Sequence, residues 1–342
     1  MWSRHVTTGL TALVVGAASL SMSPVAAAAT TAVCTPSSLP LPAGTTDGTV
    51  TSSDSGGGYA GETYGTSARH AVRWKNGQIT DYGVLPGMSG ASTTVTGVNR
   101  DGTVVGYAVD ADNTSHPFRS REGKLEALPV PSFDGTMNAF ATAVNDNGDI
   151  VGWAAADRDK APMAAVMWPA SAPGTVVRLT GGLPETGQTS AVGIDQDGTV
   201  LVNVHPEDDP VSATAAYLWR AGNSRKLAAP SGAAQVQGYG ISNGRVAGRA
   251  DTSGIVWDHN GTIVRADKGE LLYSINRTGQ SVGYQPSAPG AQVLGVWQLG
   301  TKIATLAGIE KTVSVSADDG SLAGSIHSST TRRTTPTTWR CG

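Results

Sequence analysis

Between residues 96 and 129 short apolar runs alternate with turn residues: "TGVN" leads into "TVVGYAV", then "HPFRS", then "KLEALPV". Each run has the length and the residue types of a β-strand, so the stretch predicts four short strands joined by tight turns. The first turn has a definite cause. Asn or Asp at its first position and Gly at its fourth favour a type I turn whose glycine takes positive φ. Asn99 with Gly102, Asn145 with Gly148, Asp195 with Gly198, Asn276 with Gly279 and Asp54 with Gly57 follow this rule. Ala317 before Gly320 departs at the first position, and Ser242-Asn243-Gly244 is one residue shorter. Outside the N-terminal leader, no window of a dozen residues has the periodicity of an amphipathic helix.

The same unit returns along the chain. "VNRDGTVVGY" at 98–107 recurs as "VNDNGDIVGW", "IDQDGTVLVN", "INRTGQSVGY" and "SADDGSLAGS". The closing glycine stands at Gly61, Gly106, Gly152, Gly248, Gly283 and Gly324, with Val202 in the remaining place. A second landmark, an apolar run ending in tryptophan, follows at Trp74, Trp168, Trp219, Trp257, Trp297 and Trp339, with Ser120 filling the slot in "HPFRS". These slots recur every 38 to 51 residues, which gives seven units of four strands. Units of that size and make-up predict an all-β fold, a seven-bladed β-propeller of four-stranded antiparallel blades. A solenoid would need shorter repeats or helices, and a sandwich would not keep the period.

A ring must be closed. After Trp339 only "RCG" remains, so the seventh unit lacks its fourth strand, while "CTPSSLPLPAG" at 34–44 resembles "NGQITDYGVLPG" at 76–87. The N-terminal strand is therefore expected to join the last blade. Cys34 would then begin the strand where Cys341 ends its neighbour, and the even pair in an exported chain predicts a disulfide between them. Two free thiols are the alternative.

Composition agrees: 44 Gly, 18 Pro, 15% charged residues and 3 Phe describe a turn-rich β protein. Arg4, the apolar run "GLTALVVGAASL" and the small residues of "PVAAAA" read as a cleaved signal peptide over residues 1–29, leaving one propeller domain over 30–342. A lipid anchor on Cys34 is the competing idea, but Val33 stands where a lipobox needs Gly or Ala. The expected product is secreted, extracellular, monomeric, free of a membrane anchor and of bacterial origin. The net charge of −3 becomes −4 once Arg4 leaves with the leader, and no basic stripe is present, so nucleic acid is not expected as a partner.

"VNRDGTVVGY", "HAVRW" at 70–74 and "DYGVLPG" at 81–87 resemble the segments of the HAF-repeat extracellular proteins, and in degenerate form the resemblance covers almost all of the mature chain. His survives only at His70 and His116 and Phe only at Phe118, and the last segment is often eroded. The resemblance implies an exported repeat protein with a propeller-like fold. It brings no catalytic or ligand residues.

Candidate chemistry therefore comes from loops. The short, alike turns of one face read as structural. On the other face the connections at 62–69, 110–115, 131–140, 155–162, 205–214 and 327–336 vary, and variable loops on a rigid ring are where binding resides. Within them His205, Glu207, Asp208 and Asp209 gather in "HPEDDP", and Asp110, Asp112, Asp157 and Asp159 are further ligand-face candidates. With Asp251, these last four are also the acids a hydrolase or lyase would use. The turns "NDNGD" and "DQDG" resemble fragments of calcium loops but lack a closing Glu, so turn chemistry is expected, with calcium as the alternative and no other cofactor or metal. His70 and His116 share a repeat position and read as packing residues at strand starts, and the repeated tryptophans read as packing between blades. No nucleophile elbow, metal-protease helix or P-loop motif is present. The leading expectation is a non-catalytic recognition module for a cell-surface, cell-wall or environmental ligand, polysaccharide or protein. A carbohydrate-active enzyme and an extracellular scaffold are the alternatives.

Overall fold

The repeat turn closes as its sequence requires. The amide of Gly102 donates to Asn99 O at 2.9 Å, Gly148 to Asn145 O at 3.1 Å and Gly279 to Asn276 O at 3.0 Å, with φ of these glycines between 85° and 86°. In the computed structural model, the described residues are 33–341 apart from 66–67, 89–91, 134, 158–159, 186, 210, 269, 289–290, 300, 307–310 and 329. The expected leader, residues 1–29, lies outside them. The described residues form seven four-stranded antiparallel sheets.

Blades 1 to 6 each take four consecutive strands, at 47–83, 92–127, 138–178, 188–226, 236–268 and 271–306. Blade 7 takes Lys311–Ser316, Leu322–Ser328 and Arg333–Cys341, and its outer strand is the N-terminal Cys34–Ser38. This last pairing is antiparallel, with Cys34 opposite Cys341 and Ser38 opposite Thr337. The Cys34–Cys341 disulfide locks it across a sequence separation of 307 residues. The expected closure and latch are both present.

The first strands, Asp47–Ser53, Ser92–Val98, Asn138–Val144, Gln188–Ile194, Val236–Ser242, Leu271–Ile275 and Lys311–Ser316, each touch the first strand of the next blade, and the seventh touches the first. They surround one central channel. The hydrophobic core is correspondingly divided into interblade clusters. Ala60 and Ala71 of blade 1 pack on Val95, Val104 and Phe118 of blade 2, and the pattern continues around to Val50, Val72 and Trp74 of blade 1 against Ala317 and Ala323 of blade 7. No blade buries its apolar face alone, so seven copies close a core that one copy cannot.

The tryptophans pin neighbours together by hydrogen bonding as well as by packing. The indole N–H of Trp74 donates to Pro40 O at 2.7 Å, Trp168 to Pro129 O at 2.8 Å, Trp219 to Thr180 O at 2.6 Å and Trp257 to Ala228 O at 2.7 Å. Each acceptor lies just after the outer strand of the preceding blade. The repeat glycine has a different cause. A Cβ on Gly61, Gly106, Gly152, Gly248 or Gly283 would stand 1.8 to 2.1 Å from a carbonyl oxygen of the paired first strand.

Two connections are shorter than the sequence suggested. Strand pairing runs to Asp157 opposite Lys160, so most of 155–162 is a hairpin rather than a loop. The 327–336 segment is likewise mostly strand, pairing out to Ser328 opposite Arg333. Polar residues there read as loop because a blade edge carries them without losing its ladder.

Candidate functional site

Every first strand is bulged at the same place. The register shifts between Val50 and Ser52, Val95 and Gly97, Ala141 and Ala143, Ala191 and Gly193, Gly238 and Gly240, Leu272 and Ser274, and Val313 and Val315. A bulge adds one residue and re-aims its side chain. Among the described side chains the added residues are Thr51, Thr96, Thr142, Val192, Tyr239 and Tyr273, and all six line the channel, a cavity of about 240 Å³.

The residue after the repeat glycine pairs with the first strand one step further from the turn, so it sits between its own blade and the next. These residues are Glu62, Tyr107, Trp153, Asn203, Arg249, Tyr284 and Ser325. Glu62, 4% exposed, accepts from the Thr49 hydroxyl at 2.7 Å and from the backbone N–H of Val95 in blade 2 at 2.5 Å. Burial raises its pKa above the ordinary 4.5, against the pull of these two donors. Asn203, 1% exposed, makes a two-way clasp on Gly238 of blade 5, accepting its N–H at 2.9 Å and donating to its carbonyl at 3.0 Å. Tyr107 meets Phe140 of blade 3 edge-on at 4.9 Å, and Phe140 stacks on Trp153 at 3.8 Å.

Arg249 has no such clasp. It is partly buried, its Nε is buried with no hydrogen-bond partner, and among the described residues no carboxylate forms an ion pair with it. In blades 5 and 6 Tyr239 and Tyr273 approach at 5.4 Å between ring centroids, and Tyr273 meets Tyr284 edge-on at 5.5 Å. Burial raises the phenol pKa values of Tyr239 and Tyr273, and the Arg249 charge acts on both in the opposite direction.

The turn-side mouth of the channel is self-satisfied. Arg100 lies 3.7 Å from both Asp146 and Asp318, and Arg277 lies 3.4 Å from Asp318. Asn99 donates to Asn145 O of the next blade at 2.9 Å, Asn276 does the same to Ala317 O at 2.6 Å, and Asp195 accepts from Asn243 N at 3.0 Å and Gly244 N at 2.6 Å. The Asn-x-x-Gly turns thus tie blades together as well as shaping the chain.

The residues expected from the sequence lie in separate loops of the other face. Asp110 accepts the amides of Asp112 and Thr114 and lies 2.8 Å from His116 Nε2, the contact that most lowers its pKa. His116 and His70, the latter 3.0 Å from Asp81, thus each meet a carboxylate at hydrogen-bonding distance and do more than pack at their strand starts. His205 is 5% exposed, its Nε2 is 2.9 Å from the Ser190 hydroxyl, and burial lowers its pKa while Asp209 opposes. Asp209 accepts the amides of Val211 and Ser212, and the backbone oxygen of Glu207 accepts from Gln188. Asp208 belongs to the same loop and Asp112 to the loop of Asp110. Asp251 accepts the amides of Ala234 and Gln235. Asp157 ends its strand opposite Lys160, and Asp159 lies outside the described residues. Among the described residues no three His, Cys, Asp or Glu side chains stand together as a metal site.

The bulge residues that line the channel, Thr51, Thr96, Thr142, Val192, Tyr239 and Tyr273, were not among the residues expected from the sequence.

No protein-family model matches the chain, and no curated protein sequence does. Solved structures do match in fold. A streptogramin B lyase superposes with a TM-score of 0.57 at 12% identity, covering 90% of this chain and 98% of its own. The propeller domain of the Trilobed protease from Pyrococcus furiosus gives 0.54 at 12%, covering 86% and 94%. That domain has an open Velcro topology, whereas here Cys34–Ser38 closes the last blade. Prolyl endopeptidases give 0.60 at 14%, over 86% of this chain and 50% of theirs. At such identities the likeness is one of fold alone.

Proposed function

We propose that the protein is a secreted, non-catalytic recognition module that binds a cell-surface, cell-wall or environmental ligand at its central channel. The observation that carries this reading is the ring of residues added by the first-strand bulges. One backbone position on a fixed scaffold presents the hydroxyls of Thr51, Thr96 and Thr142, the apolar Val192 and the phenols of Tyr239 and Tyr273 to a single channel. Propeller channels of this kind recognise by side-chain variety on a rigid frame. The HAF-repeat resemblance and the leader sequence support export.

The carboxylates nearest the channel are already occupied. Glu62 is clasped to blade 2, and Asp146, Asp195 and Asp318 are bonded to backbone amides of neighbouring blades. This favours binding over acid–base hydrolysis. The test is incubation of the mature protein with insoluble polysaccharides and cell-wall fractions, assaying pelleted protein and released soluble sugar together. Retention without release is expected. Sugar release would transfer the protein to the enzyme class, and absence of retention on every fraction would sink the recognition reading.

A further inference from the structure

The turns between third and fourth strands share one backbone geometry but not one kind of residue. A left-handed residue opens the turn at Asn76 in blade 1, Glu122 in blade 2 and Ala221 in blade 4, with φ of 52°, 51° and 47°. Blade 6 puts Leu299 there, also at 47°. A bulky apolar residue is disfavoured in that region, and backbone held in a disfavoured state points to a use for the side chain it carries. That side chain does not serve the core, since Leu299 is 64% exposed.

Leu299 lines a cavity of about 290 Å³ formed by blades 5 and 6, at the lower edge of the size range of small-molecule pockets. Val264, 59% exposed on the outer strand of blade 5, adds a second apolar surface to it. Three charged side chains share the lining, and two of them are committed. Arg265 pairs with Asp267 and, at 2.6 Å, with Glu270, while Asp258 accepts the amides of Asn260 and Thr262 at 2.9 Å each. Arg245 is partly buried and forms no ion pair or side-chain hydrogen bond among the described residues. It stands beside the leucine: a Cβ added to Gly279 would lie 3.8 Å from Arg245 Cδ and 2.3 Å from Leu299 Cδ2. An uncommitted cation and an exposed leucine thus flank one glycine.

We infer that this cavity is a second binding site, outside the central channel, for a small amphiphilic carboxylate, whose charge is held by Arg245 and whose apolar body lies against Leu299 and Val264. A free guanidinium offers the paired donors that a carboxylate takes. Asp258 in the same lining disfavours a doubly charged group such as a phosphate monoester, so the ligand is a monoanion. Covering the two exposed apolar side chains supplies the remaining driving force. Arg245, Val264 and Leu299 are absent from the channel lining, so this site stands or falls independently of recognition there.

The experiment is calorimetric titration of the full mature protein with octanoate and with the neutral octan-1-ol. Wild type is expected to bind octanoate saturably and at least about tenfold more tightly than the alcohol, a preference weakened by salt. Arg245→Gln should abolish the preference. Leu299→Asn should weaken binding of both probes about fivefold by removing apolar surface. The same substitution should not lower the urea midpoint, because Asn accepts left-handed backbone and already stands at this turn position in blade 1. Loss of binding without loss of stability in Leu299→Asn would separate a ligand role for the leucine from a structural one. Absence of saturable octanoate binding to wild type, equal affinity for the two probes, an undiminished preference in Arg245→Gln or undiminished affinity in Leu299→Asn overturns the site.

Discussion

The two sides of the channel carry different side chains at equivalent backbone positions. In blades 1 to 4 the inner residues bond to the next blade: Glu62 to Val95, Thr96 to Ala141 O at 2.8 Å, Thr142 to Ala191 O at 2.8 Å and Asn203 to Gly238. In blades 5 and 6 the same backbone positions carry Arg249, Tyr239, Tyr273 and Tyr284, which touch one another's rings and charge. The bulge and the register are the same in both. Side chains that hydrogen-bond across a joint on one wall are thus replaced on the other by an arginine and a group of aromatic rings. A repeat architecture permits this difference because each joint is local.

The comparison breaks most severely if the ring itself opens, since both walls depend on closure. Removing the latch with Cys34→Ser and Cys341→Ser together should lower stability by up to about 5 kcal/mol on a chain-entropy account, read as a fall in the urea midpoint. An unchanged midpoint would mean that the five-residue outer strand holds without it.

Next come the clasps. Glu62→Ala deletes a buried carboxylate that serves two donors and leaves the Val95 N–H unpaired, so a loss of about 3 kcal/mol is expected. Asn203→Ala should cost about 2 kcal/mol by the same reasoning. Arg249→Ala, at the equivalent position, should change stability by less than about 1 kcal/mol, since it removes an unsatisfied donor rather than a bond. Equal losses at Glu62 and Arg249 would erase the distinction between the walls.

Acidity sharpens it further. Burial raises the folded-state pKa of Glu62 above 4.5, so the folded protein binds that proton more tightly than the unfolded chain. Its contribution is fully present below the unfolded value and is lost as pH rises through the folded one. The stability of wild type minus that of Glu62→Gln should therefore fall with rising pH in the window above 4.5 and be flat well above it, measured by urea melts at stepped pH.

Blade count, closure and latch were legible in the sequence because each rests on local chemistry: a turn with Asn and Gly four residues apart, a tryptophan ending a strand, and a missing strand found at the other terminus. The joints between blades were not legible. Whether Asn203 meets Gly238 depends on a residue 35 positions away, and nothing within either segment reports it. The acids that drew notice, Asp110, Asp209 and Asp251, turned out to cap their own or neighbouring backbone, a common role for Asp in loops. The segment 155–162 read as loop through its charges, yet strand pairing persists to Asp157 and Lys160 because the ladder is set by backbone and by blade 4 side chains such as Gln188 and Thr189.

The smallest effects test the wall hydroxyls. Thr142 donates to Ala191 O of blade 4 and to Val151 O of its own blade, at 2.8 and 3.0 Å. Thr142→Val keeps the shape and removes both bonds, so about 1 kcal/mol is expected, and Thr96→Val should behave alike. Valine is sterically admissible there because Val192 occupies the equivalent bulge in blade 4. Any loss therefore reports the hydrogen bonds and not the fit. Tyr273→Phe on the opposite wall also removes one hydroxyl and keeps the ring contacts with Tyr239 and Tyr284, so a change within about 0.5 kcal/mol is expected. Urea midpoints for the three variants decide between a channel whose hydroxyls all serve closure and one in which only the threonines do. A Tyr273→Phe loss as large as that of Thr142→Val would place the tyrosine wall among the joints and leave Arg249 alone as the uncommitted group.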